Sequence, residues 1–161
     1  MYKLLLFILF MVVWTLLQAV QTDGELAIQT LFQGKHAVNR AAHAAAQQLD
    51  SAALAEGWIR IDEHAAASAA REYLHYNLKL DGAGQPLTGS SLREPVRIVV
   101  LEVINSDREF PYTYRNPQYD YEVTLQRPGV VVIAHVPYTR AFRVIDPIAW
   151  HIKGTAELVT S

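Results

Sequence analysis

Cysteine is absent from all 161 residues. That excludes a disulfide framework, a thiol nucleophile and a cysteine-ligated zinc site. An excess of either charge is missing too. Fourteen Lys and Arg stand against 16 Asp and Glu, the net charge is −2, and no basic stripe is present, so nucleic acid is not an expected partner. HExxH, CxxC, G-x-S-x-G and a phosphate-cradling glycine loop are also absent, and Gly82-Ala83-Gly84 does not supply the last. What remains is an apolar-rich chain, 51% hydrophobic, with enough Val, Ile, Leu and aromatic residues for a real core, which excludes global disorder.

The most prominent feature is the uncharged run from Leu4 to Val20, preceded by Lys3 and followed by Asp23 and Glu25. Its seventeen residues sit at the short end of the roughly 17–25 that cross a bilayer as a helix. A cleaved signal peptide needs small residues at −3 and −1 of the cut. A cut after Ala19 puts Leu17 at −3, and a cut after Gln21 puts glutamine at −1. The expectation is therefore a retained anchor over residues 1–22 and one domain over 23–161. Lys3 and the amino terminus are the positive flank, which places the N-terminus in the cytoplasm and the C-terminal domain outside it. Within the run, Trp14, Thr15 and Gln18 are the polar or amphipathic side chains, available either to a second membrane helix or to headgroups.

No breaker separates this run from the next segment. Good helix formers dominate from Glu25, and Ala27, Leu31, Val38, Ala42, Ala45 and Leu49 recur at helical spacing. Gly24 and Gly34 weaken such a helix without stopping it. The spacing predicts a long helix over 25–49 that continues the anchor. Gly57 closes a short helical piece, and Trp58 to Ile61 reads as a short extended run. Asp62 is an N-cap for a second helix over 63–78, whose face is Ala66, Ala69, Ala70, Tyr73, Leu74 and Asn77. Asp81-Gly-Ala-Gly-Gln-Pro86 breaks the chain, and a loop follows to Pro95. From there the period is two. Strands are expected at Val96–Ile104, Tyr121–Gln126, Val130–Tyr138 and Ile148–Val159, with Arg127-Pro128-Gly129 as a hairpin turn. Helices followed by strands make an α+β fold with a small antiparallel β-meander.

Chemistry is sparse. His36 and His43 lie about 10 Å apart along one helix, and His64 and His75 about three turns apart, too far for one ion. Ser90-Ser91 and Ser106-Asp107 have no base placed beside them, and Asp107, Arg108, Glu109 and Asp120 read as solvated loop charges. Neither an enzyme, a metal nor a cofactor is expected. The connection from Phe110 to Tyr121 is richer. Phe110, Tyr112, Tyr114, Arg115, Tyr119 and Tyr121 are residue types enriched at binding hot spots. Two readings stand: an interaction loop that docks a neighbouring subunit, or aromatics that close the sheet edge and fill the helix–sheet seam.

The plan resembles the pilins. The stretch Leu31-Phe-Gln-Gly-Lys-His-Ala-Val-Asn-Arg-Ala-Ala-His-Ala-Ala-Ala-Gln-Gln-Leu-Asp50 is similar to the alanine-rich segment after the anchor in TadE-type proteins of the tight-adherence pilus system. A second alanine-rich helix (Ala65 to Leu78), valine-rich strands (Val96 to Val103, Val130 to Val136) and Lys153-Gly154-Thr155-Ala156 in the last strand follow in the same order. The resemblance implies a pilin-like structural or assembly component of a pilus or secretion apparatus, single-pass and non-catalytic. Its expected partners are the lipid bilayer and other membrane proteins of the apparatus or copies of itself. An anchored ligand-binding or sensor domain is the alternative, and an anchored hydrolase the third.

Overall fold

A computed structural model describes residues 2–140 and 146–159. Residues 141–145 and 160–161 of the expected domain lie outside the described residues. The fold is α+β, with a long N-terminal apolar helix, further short helices and antiparallel sheets.

Helix α1 runs unbroken over Tyr2–Ala46, 45 residues, or about 68 Å at ~1.5 Å per residue. The first residue of α1 to be buried is Asp23. After it the buried positions are Ala27, Thr30, Gly34, Ala37, Val38, Ala41, Ala42, Ala45 and Ala46, a stripe at spacings of three and four made almost wholly of small residues. Small side chains let the sheet come close. A Cβ on Gly154 would lie 2.9 Å from Val38 Cγ1 and 3.2 Å from the Val38 carbonyl, so strand and helix touch at a glycine.

The helix stops short of the expected end. Leu49, counted in its apolar face, lies beyond it, is 39% exposed and forms an isolated bridge with Ile61. The cause is local competition for the backbone. Asp50 N–H donates to Arg60 O at 2.9 Å and Asp62 N–H to Gln48 O at 2.8 Å, so the chain leaves the helix to pair with the Trp58–Ile61 run. Asp50 also caps α2 (Ser51–Ala55), accepting from the Ala52 and Ala53 amides. Helix α3 spans Glu63–Leu78, as the sequence pattern predicts, with the Asp62 carboxylate accepting from Ala65 N–H at 2.9 Å. Its buried row is Ala66, Ala70, Leu74 and Leu78. Tyr73, expected on that face, is 48% exposed.

Strands β1 (Arg97–Ile104), β4 (Gly129–Tyr138) and β5 (Ile148–Glu157) form one antiparallel sheet in the order β1-β4-β5. Strands β2 (Tyr112–Asn116) and β3 (Tyr121–Leu125) form a separate hairpin. The Pro128-Gly129 turn therefore does not close a hairpin between its flanking strands. It carries the chain from the hairpin into the middle of the sheet. The central strand explains this. Gly129–Tyr138 is buried almost throughout, on both faces, so its backbone N–H and C=O groups are away from water and need a pairing strand on each edge. The alternation along β4 divides the core. Val130, Val132, Ala134 and Val136 pack on α1 and α3, whereas Val131 and Ile133 pack under the hairpin with Ile104, Tyr114 and Leu125. Three layers result: helices, sheet and hairpin.

Candidate functional site

The apolar segment and the domain meet at one residue. An 18-residue window of α1 has a mean hydropathy of 2.3 and is nowhere buried, so this helix is long and apolar enough to cross a membrane. Trp14, Thr15 and Gln18 lie in the exposed segment. Trp14 is 53% exposed, and the Thr15 hydroxyl donates to its own helix, to Met11 O at 2.8 Å. One turn past the end of the run comes the first buried side chain of the helix, Asp23, which is 4% exposed, while Leu26, Ile28 and Phe32 on the other face stay exposed. Its carboxylate takes the guanidinium of Arg140 at 2.8 Å and the Tyr138 hydroxyl at 3.4 Å. Arg140 Nε also donates to the Asp146 carbonyl at 2.8 Å. Tyr138 stacks on Trp150, ring centroids 5.8 Å apart. Burial first, and then the Asp23 carboxylate, raise the Tyr138 ionisation above the ordinary tyrosine range. The sequence offered Asp23 only as a flanking charge; its partner is distant along the chain, and no local signal could have found it.

The aromatic connection folds as the β2–β3 hairpin. Tyr112 pairs with Leu125 and Tyr114 with Val123, and these face the sheet. Thr113 with Thr124, and Arg115 with Glu122, face outward. Tyr114 is buried, and Phe110, Tyr112, Tyr119 and Tyr121 are half-buried around it. The Tyr121 hydroxyl meets that of Thr155 at 2.7 Å. Five of the six expected interaction residues are thus brought together as a lid on the sheet face opposite the helices. They do not fill the helix–sheet seam. Arg115 alone is exposed, with its Nε 2.9 Å from Glu122 Oε2.

Among the described residues no group of three or more His, Asp or Glu is placed to hold a metal ion. The structure does join two histidines that sequence spacing did not connect: His135 and His151 lie opposite each other on β4 and β5, ring centroids 5.1 Å apart, with Tyr119 against His151 at 5.0 Å. His75 on α3 is held below the usual imidazole range by burial and then by Arg71.

The fold and the helix exit together define an α+β domain carried on an apolar helix of membrane-spanning length. No protein-family model, curated protein or solved structure gives a significant match to this chain.

Proposed function

We propose that this chain is a single-pass, membrane-anchored structural component of a pilus or secretion apparatus, pilin-like and of the TadE-like kind. It acts by helix packing in lipid and by docking of its exposed domain, not by catalysis. The observation that carries this reading is the continuity of α1. One helix is bare and apolar over its first twenty residues or so, then becomes the spine of the domain without a break. From Lys3 to Asp23 the rise is about 30 Å, the thickness of a bilayer's hydrocarbon core. A rigid rod of this kind transmits position from the membrane to the domain. The single-lysine flank supports a cytoplasmic N-terminus and an extracytoplasmic domain.

Because the chain has no cysteine, a single introduced thiol is unique. Thr15→Cys and Gln18→Cys chains, oxidised in native membranes, are expected to form disulfide-linked dimers, the second thiol coming from another copy of the same variant packed alongside in lipid. Mass spectrometry of the membrane-extracted chain is expected to find the apolar run still attached. Recovery of a soluble secreted species beginning near Gln21 or Thr22 overturns the reading.

A further inference from the structure

At the end of the domain farthest from the apolar run, a groove of about 640 Å³ opens between the Trp58–Arg60 arm and the distal half of β1. Two observations give it a chemistry. The first is the edge of the sheet. Strand β1 pairs with β4 on one side, and among the described residues its other edge has no backbone partner. The register slips between Ile98 and Val100, which disrupts the half of that edge nearer the apolar helix. Leu101–Ile104 keep a regular register with Val132–Gly129, and Glu102, Val103 and Ile104 line the groove. An unpaired regular edge is a template for another extended chain.

The second observation is the facing wall. Trp58 is 68% exposed, a large apolar surface beside an open edge. The arm that carries it is already fixed. The Asn105 side chain accepts from Ile61 N–H at 2.8 Å and donates to Ile61 O at 3.1 Å, and the Ser106 hydroxyl donates to Ile59 O at 3.0 Å. Little ordering is left to do on binding. The lining charges are unbalanced. Arg60 pairs with Glu63 and Arg108 with Asp107, each at 3.7 Å. Among the described residues neither Glu56 nor Glu102 forms an ion pair, and Glu102 has a neutral partner, the Tyr114 hydroxyl.

We propose that this groove takes an extended, lysine- or arginine-bearing segment of another polypeptide, which adds to the free edge of β1 over Leu101–Ile104. Its basic side chain lies against Glu102 and Glu56, and an apolar side chain lies against Trp58. Backbone pairing supplies the affinity; the carboxylates and Trp58 select the occupant. This stands independently of whether the apolar helix remains attached.

The test uses the full chain in a zwitterionic detergent and three blocked hexapeptides: a lysine–valine repeat, a glutamate–valine repeat, and the lysine–valine repeat N-methylated at alternate amides. Calorimetry is expected to show saturable one-site binding of the first and none of the other two. Trp58→Ala and Glu102→Gln, both at exposed positions, are expected to weaken it by about fivefold or more each, with an unchanged melting curve. Absence of binding, equal binding of the lysine and glutamate repeats, retained binding of the N-methylated peptide, or insensitivity to Trp58→Ala each overturns the proposal.

Discussion

Asp23 and Arg140 are 117 residues apart in the chain, and their side chains meet at 2.8 Å where α1 passes from full exposure into the domain. The pair ties the segment just after the central strand to the first buried position of the helix. Both side chains are largely buried, 14% and 4% exposed for Arg140 and Asp23. Removing one partner of such a pair strands the other charge, at a cost of about 3–5 kcal/mol in a fully buried site. Arg140 keeps some contact with water, so Asp23→Ala is expected near the lower figure. The readout is urea unfolding followed by tryptophan fluorescence, since Trp150 stacks on Tyr138 beside the pair. The double variant Asp23→Ala/Arg140→Ala is expected to lose less than the sum of the single changes.

A second expectation concerns pH. The folded His75 has a lowered pKa, caused by burial and the neighbouring Arg71 and opposed by Asp81. The unfolded chain therefore binds the proton more readily. Stability from this group is fully present above the unfolded value of about 6.5 and declines as pH falls from there through the folded value. Melting temperature is expected to drop between pH 7.5 and 5.5, and His75→Gln to flatten that slope. An identical slope in the variant would assign the acid sensitivity elsewhere.

The small-residue seam gives a paired test. A methyl group on Gly154 meets Val38 Cγ1 at 2.9 Å, Asn39 Oδ1 at 3.0 Å and the Val38 carbonyl at 3.2 Å. The backbone carbonyl cannot swing aside, so Gly154→Ala is expected to destabilise by about 1–3 kcal/mol. Gly24 sits inside α1 with nothing within 4 Å of an added Cβ. There Gly24→Ala is expected to stabilise by up to about 1 kcal/mol through helix propensity. Parallel denaturant titrations check both signs.

How far the chain announces this structure depends on the range of each signal. Helices α1 and α3 and strands β1, β3, β4 and β5 were legible because periodicity and capping are local: Asp62 caps α3 as its position implies. Strand partners are not local. Pro128-Gly129 is a valid turn signal, but it states only that the chain bends, not that the flanking strands pair. Burial of Val130–Val136 on both faces marks a central strand whose backbone groups need a strand on each edge, but that β1 and β5 fill those edges is not a local signal. The inward alternation of Tyr112, Tyr114, Val123 and Leu125 was on the page. Only the hairpin's second half, Tyr121–Gln126, reads as a strand, and the aromatic half stays open between docking and packing because aromatic residues mark cores and interfaces alike. Asp23 looked like the polar end of an apolar run until Arg140 arrived from across the fold.

That ambiguity leads to the last prediction, which separates packing from docking within the hairpin. Tyr114 is 5% exposed among Leu125, Val131 and Ile133, and its hydroxyl accepts from Asn116 Nδ2 at 3.1 Å. Tyr114→Ala removes most of that contact and leaves a cavity, a change that costs about 3–5 kcal/mol for a buried aromatic side chain. Near-UV circular dichroism and the unfolding midpoint are expected to show the loss. Arg115 faces the other way, 71% exposed, and pairs with Glu122, itself 57% exposed. A surface pair of that kind contributes at most about 1 kcal/mol, so Arg115→Ala is expected to melt within a few degrees of the parent. A docking role for the hairpin must then be read at Arg115: reduced co-purification of partner proteins with an unchanged melting curve supports docking through its outer face. Unchanged co-purification for Arg115→Ala, alongside collapse of Tyr114→Ala, assigns the aromatic cluster to packing alone.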